Sequence, residues 1–340
     1  MREIRNILAV SCGYAAAVIG AGFASGQEIV SFFLRYGKMS IIGIFIAVFI
    51  FSAFSYMVLS CCIDRGINRY EDLLVVLFKH DGMRKTAEYA TAVFSACTLC
   101  VMTACAGEMS SVCFGTEKIY GALVFAVICA VILMMNVKKI IQLNSLLGAV
   151  IIFGIIFTCF YILRYREHQT FVNGGAIVMS GASYAGYNLL TAGALLSGMS
   201  TYLNNKKEAL LSSVVSGGVL LIMIVLIWGV LGIYYGKMNL GEIPMLTMAI
   251  RQGRLLGIAY SIMLAFAVLT TGLANGFGIT DILGGKIGRK RTVLIFVLIA
   301  FCMSGRGFSK LIDILYGACG YIGIAIVLGL MFSTVKLRKK

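Results

Sequence analysis

The sequence predicts an all-α integral membrane protein with ten transmembrane helices, and three observations carry that prediction. Of 340 residues, 60% are hydrophobic and only 13% charged, against about 45–50% and about 25% in soluble domains; the mean hydropathy is +0.96. The apolar residues gather into ten runs, at 7–34, 39–62, 86–113, 119–136, 144–163, 173–198, 209–233, 252–280, 291–305 and 309–333. Most approach the roughly 20 residues that cross a hydrocarbon core. With the N-terminus placed inside, 19 of the 29 Lys and Arg fall on the inner side and none in mid-membrane, and excess basic residues mark cytoplasmic loops. The even number of runs agrees with two cytoplasmic termini. This composition excludes a soluble enzyme, a secreted disulfide scaffold and a disordered chain. The net charge of +15 then reflects topology rather than nucleic-acid binding. No small-residue cleavage site follows the first run, which reads as a retained span.

The first run contains AAAVIGAGFASGQEIVSFF, with Gly20, Gly22 and Gly26 at its centre beside Ser25, Gln27 and Glu28. Each interior glycine costs a helix about 1 kcal/mol relative to Ala, so a break here is cheap. In lipid, the backbone groups freed by a break need protein, water or a ligand. Close helix packing is the alternative use of such glycines, but a carboxylate within a span points to function. Three readings of Glu28 stay open: partner of a substrate amine, carrier of a coupled proton, or structural hydrogen-bond acceptor at the broken helix.

Between the second and third runs, residues 67–80 (INRYEDLLVVLFKH) are too short and too charged to span, and predict an amphipathic helix on the cytoplasmic surface, within segment 64–85. The third and eighth runs are long enough to tilt. The third carries Thr98, Thr103, Cys105 and Glu108, the last expected near the outer face in a structural pairing. Cys97 and Cys100 alone make a weak metal site, and the 11 cysteines read as small apolar fillers. The sixth run is a second glycine-rich segment with a polar centre: Ser183, Tyr184, Tyr187, Asn188 and Thr191 among six glycines from Gly174 to Gly198. If ten spans divide into two fives, runs one and six correspond, and such a pair is the sequence pointer to a transporter binding site. Pro244 predicts a short helix start in an outer loop. In the eighth run Ala267, Thr270 and Thr271 share one helical face. The short ninth run is flanked by Arg289, Lys290, Arg291 and Arg306, which can snorkel. In the tenth, Asp313 is expected to pair with Lys310 or Arg306. Both histidines, His80 and His168, lie in loops. No metal-ligand cluster, nucleophile elbow or P-loop is present, which argues against an enzyme, an organic cofactor and a primary pump.

The stretch GAGFASGQE in the first run, with SYAGYN in the sixth, resembles the YkvI-type membrane proteins, within the amino acid–polyamine–organocation group of LeuT-fold transporters. The resemblance covers essentially the whole chain. It implies two inverted five-helix repeats, 1–163 and 164–340, with helices 1 and 6 broken about a mid-membrane site. It places the amides near Ala21, Gly22 and Phe23 toward a substrate carboxylate, where the positive end of a half-helix favours an anion. Glu28 and Thr98 flank that site, and a loosened backbone from Ser183 through Gly186 to Tyr187, with Asn188, lines its other side. Tyr184 and Tyr187 cover the substrate or form gates, with ordinary aromatic packing as the alternative.

The resemblance also implies a Na⁺ site of five oxygens: the carbonyls of Ala16, Ile19 and Ala267 and the hydroxyls of Thr270 and Thr271. The alternative is that both threonines bond back to carbonyls of their own helix. Span three lacks the tyrosine that holds the substrate carboxylate in some relatives. Span five is uncharged and lacks the lysine that replaces sodium in proton-coupled ones, which favours Na⁺. The expectation is a Na⁺-coupled symporter of an amino acid or related small zwitterion or amine. It would work by alternating access in the cell membrane, with the bilayer, the solute and Na⁺ as its partners. Proton-coupled or exchange transport, and a non-transporting solute sensor, are the alternatives.

Overall fold

The computed structural model describes residues 2–78, 81–135, 139–164 and 177–338. Lys79, His80, Lys138, Arg166, His168, Gly174, Gly175, Lys339, Lys340 and the first residues of the sixth run lie outside them. The described chain is helical throughout, and a helix occupies each of the ten apolar runs. The first run is split into α1 (Arg2–Val18), α2 (Ala21–Ser25) and α3 (Gln27–Phe32). Then come α4 (Ser40–Arg65), α5 (Tyr70–Leu77), α6 (Asp81–Phe114), α7 (Lys118–Met135) and α8 (Lys139–Leu163). The second half has α9 (Ile177–Met199), α10 (Lys206–Tyr234), α11 (Pro244–Gln252), α12 (Arg254–Ile287) and α13 (Arg289–Ser304). It ends with α14 (Phe308–Leu311), one π-helical stretch (Ile312–Tyr316) and α15 (Gly317–Arg338).

Among the described residues, six helical segments are long and apolar enough to cross a membrane: α4, α6, α7, α10, α12 and the stretch Phe308–Leu330. The two longest, α6 and α12, have 34 residues each, about 51 Å at 1.5 Å per residue, and pack against each other. Large apolar side chains face outward, among them Phe49, Phe153, Phe160, Leu255 and Leu298. A soluble surface would not carry so many together; lipid accounts for them. The segment after α4 forms α5, with Leu73 and Leu74 buried and Val75 exposed, and Pro244 starts α11 at the position where its missing N–H costs nothing.

One expectation is corrected here. Helix 6 is not broken: α9 runs unbroken from Ile177 to Met199, through Ser183, Gly186 and Tyr187. Gly181 and Gly186 serve close packing instead. A Cβ on Gly181 would lie 2.1 Å from the Gly43 carbonyl oxygen of α4, and one on Gly186 would lie 2.3 Å from the Gly320 oxygen of α15. Backbone therefore touches backbone on two sides of α9, the small-residue mode of membrane helix packing.

The glycines of the first run do break their helix. Gly20 is extended (φ −87°, ψ −170°), and Gly26 takes the left-handed conformation at φ +81° between α2 and α3. At Gly26 a side chain is strained whatever the space, and a Cβ would also lie 2.8 Å from Met245 Cγ. Gly26→Ala is therefore expected to destabilise the protein by at least about 1 kcal/mol, read as a lowered thermal midpoint of the purified protein. An unchanged midpoint would contradict the assigned backbone.

Candidate functional site

The break at Gly20 rearranges backbone hydrogen bonds. The Gly20 N–H donates to Val18 O at 3.0 Å, so the Ala16 carbonyl loses the amide that a continuous helix would supply. The five residues of α2 are all buried and its first turn has no side-chain cap. Ser25 Oγ donates to Gly22 O at 2.6 Å and accepts from the Gln27 amide at 3.1 Å. Tyr260 of α12 donates to Ala24 O at 2.6 Å. The break is thus held by polar side chains rather than left to lipid.

Glu28, second residue of α3, folds its carboxylate back over α2. A Cβ on Gly22 would lie 2.1 Å from Glu28 Oε1. Glu28 is 5% exposed and its Oε2 has no hydrogen-bond partner. Its surroundings are aromatic. Tyr184 and Tyr187 of α9 and Tyr316 of the π-helical stretch lie close enough to interact with its charge. Tyr187 stacks on Tyr316 at 4.7 Å, with Phe94 5.7 Å and Phe32 5.4 Å from Tyr187. The Tyr184 hydroxyl is buried without a hydrogen-bond partner, and the Tyr187 hydroxyl lies at the Glu28 carboxylate. Thr98 donates to Phe94 O at 3.0 Å and stands beside the Tyr316 hydroxyl.

A cavity of about 300 Å³ approaches the break from the side of the N-terminus, lined by Ala16, Ile19, Gly20, Ser95, Asn188, Thr271 and Asn275 among others. The Thr271 hydroxyl lies 3.6 Å from where a Gly20 Cβ would be. Ala267 and Thr270 do not line the cavity, and the Thr270 hydroxyl donates to Phe266 O at 2.9 Å and Ala267 O at 3.2 Å within its own helix.

The opposite side is tied shut. Arg35 pairs with Asp313, so the expected Asp313 partners Lys310 and Arg306 are corrected; the fold brings the turn after α3 to the π-helical stretch, which proximity in sequence does not reveal. Gln27 Nε2 donates to Ser309 Oγ at 2.6 Å. Lys118 bridges Glu108 and Glu242, the latter at 2.9 Å, and Glu242 accepts the Ser309 N–H at 3.0 Å. For Glu242, burial opposes the charge, but Lys118 and the Ser309 and Phe308 amides outweigh it and hold its carboxyl below the ordinary carboxylate range. A depressed pKa stabilises the tie above that range, and the stabilisation is lost as pH falls through it. Hydrogen-exchange protection of residues 237–250, taken relative to intrinsic exchange at each pH, is therefore expected to be high at neutral pH and to fall below about pH 4.5; protection that does not change with pH would remove Glu242 from the tie.

Of the predicted site residues, the fold gathers Ala21, Gly22, Phe23, Glu28, Tyr184, Tyr187 and Thr98 around the break, and Ala16, Ile19, Asn188 and Thr271 on the cavity below it. Ser183 and Gly186 sit at the α9–α15 contact, with Ser183 Oγ 3.4 Å from Gly317 O. Sequence reasoning missed Tyr316, Phe94 and Phe32. The π-helical turn that aims Tyr316 inward has no composition signal, although such turns recur at functional sites.

No family model matches the chain. The uncharacterized protein YyaD of Bacillus subtilis (strain 168) is 25% identical over 331 residues, 94% of each chain. The uncharacterized membrane protein YkvI of the same organism is 24% identical over 335 residues, 96% of this chain and 95% of its own. In fold, the chain is similar to a Na⁺-coupled sialic acid symporter in its substrate-bound outward-open state (TM-score 0.63, 13% identity, 96% of this chain and 78% of that one). It is also similar to the inward-facing conformation of Mhp1 (TM-score 0.64, 12% identity, 95% and 75%). A third similar structure is a mutant of the Eremococcus coleocola manganese transporter (TM-score 0.61, 16% identity, 95% and 76%). By sequence the chain is thus similar to YyaD and YkvI along nearly its whole length, and its fold is similar to that of these three structures.

Proposed function

We propose that this chain is a Na⁺-coupled secondary transporter of an amino acid or related small zwitterion or amine, working by alternating access. The observation that carries the reading is the broken first helix. Its mid-chain gap is buried against Glu28 and aromatic rings, is reached by a polar cavity from one side, and is tied shut on the other. That asymmetry is the form of a carrier caught facing one compartment. The excess of basic residues on the N-terminal side makes that compartment the cytoplasm. Ten crossings in two inverted repeats, 1–163 and 164–340, complete the proposal. Opening the outer ties while the inner cavity closes would pass the solute across.

Sodium would sit between α1 and α12, at the carbonyls of Ala16, Ile19 and Ala267 and the hydroxyls of Thr270 and Thr271. A hard cation wants oxygens, and Ala16 and Thr271 already line one cavity. Thr270 would have to turn from its own helix to join, so ion binding and the state of the site would be coupled. A ligand drives such a change only by its differential affinity for the two states. Among the similar structures, the sialic acid symporter is Na⁺-coupled and Mhp1 belongs to a nucleobase-cation symport family.

Counterflow in proteoliposomes tests the reading. Labelled solute from a panel of amino acids and amines is expected to accumulate in vesicles preloaded with the same unlabelled compound, above empty-liposome controls. Solute binding without any counterflow would make the chain a sensor instead.

A further inference from the structure

We infer that the solute is an organic monocation without a carboxylate, an alkylammonium held by Glu28 and the rings of Tyr184, Tyr187 and Tyr316. This deepens the transporter reading and rests on it for the location of the solute site. The first observation is positional. The amides at the start of α2 would be the anion-binding element for a zwitterionic solute. The protein's own carboxylate already lies against Gly22 in that turn, with Glu28 Oε1 only 2.1 Å from a Cβ position on Gly22. A second carboxylate, brought by the solute, would meet Glu28 as a like charge in a site sheltered from water.

The second observation is a buried carboxyl group with no cationic partner among the described residues. Glu28 is 5% exposed and its Oε2 has no partner. Among the described residues no Lys or Arg pairs with it: the ion pairs involve Arg35, Arg84, Lys118 and Lys206 with other acids. A buried carboxylate keeps its charge only with a compensating cation, and among the described residues none is paired with Glu28.

The third observation is the wall. Tyr187 lies between Tyr184 at 5.6 Å, perpendicular to it, and Tyr316 at 4.7 Å. The Tyr184 hydroxyl is buried and unpartnered, and the Tyr187 hydroxyl faces the Glu28 carboxylate. Ring faces attract ammonium groups, and the hydroxyl oxygens can accept its N–H bonds. An inorganic cation would use chiefly the oxygens; an alkylammonium uses both the oxygens and the ring faces. Asn188, next to Tyr187 in α9, lines the cavity beneath.

The test uses matched pairs that differ by one carboxylate: isoamylamine against leucine, and phenethylamine against phenylalanine. Binding to the purified full-length protein in detergent is measured by thermal stabilisation and calorimetry. At least one amine is expected to bind at least tenfold more tightly than its amino acid, and Glu28→Gln to weaken that amine at least tenfold. The wild-type comparison stands even if the variant folds poorly. Equal or tighter binding of the amino acids, unchanged amine affinity in Glu28→Gln, or no binding by either amine overturns the inference. Counterflow of a bound amine reads the transporter assignment separately. An amine bound but not exchanged fails that assignment and leaves the cation site standing.

Discussion

Gly323→Ala is expected to destabilise the folded protein by about 3 kcal/mol, the upper end of ordinary overpacking, and to remove most monodisperse material from size-exclusion profiles. The added Cβ would lie 2.1 Å from the Gly186 carbonyl oxygen and 2.4 Å from its carbonyl carbon. Those are backbone atoms of a helix wedged between two neighbours. α9 cannot retreat, because on its α4 side a Cβ at Gly181 would already be 2.1 Å from the Gly43 oxygen. Side chains repack around an extra methyl; two helix backbones pressed together can only separate. The control is Gly218→Ala in α10, where a Cβ meets nothing within 4 Å. That change should be neutral or stabilising by up to about 1 kcal/mol, the helix propensity gain. Equal behaviour of the two variants would show that α9 and α15 are not in backbone contact.

Gly22→Ala is expected to act the other way, sparing the fold and abolishing function. Its Cβ would collide with Glu28 alone, at 2.1 Å from Oε1 and 2.9 Å from Cδ, and the end of a flexible side chain can move. Folded yield should stay near wild type, whereas solute counterflow should fall more than tenfold as Glu28 is pushed off α2. Normal counterflow would mean that the Glu28 position over the break is not part of the solute site.

These two glycines show what was legible in the sequence. Both spans one and six read as glycine-interrupted with polar centres, and composition does not separate them. In the first, Gly26 is followed directly by Gln27 and Glu28, and the chain has polar side chains at hand to satisfy a break; Ser25 does so at Gly22 and Gln27. In the sixth, Gly181 and Gly186 face other backbones, and only the placement of α4 and α15 reveals it. The amphipathic α5 and the Pro244 start of α11 were readable because each depends on neighbours in sequence. The Asp313–Arg35 pair joins residues 278 apart in sequence, and Tyr316 owes its direction to a π-helical turn. Neither leaves a local mark.

The Na⁺ assignment divides the two threonines. Thr271 reaches the cavity beside Gly20, whereas Thr270 is bonded within α12. The most direct test is the thermal midpoint of the purified wild type and Thr271→Ala in NaCl and in KCl at equal ionic strength. An ion at 100 times its Kd stabilises the state it binds by about 2.7 kcal/mol, a shift of several degrees. A rise specific to NaCl in the wild type and absent in Thr271→Ala is the predicted result; equal midpoints in both salts for the wild type would contradict sodium coupling at this site.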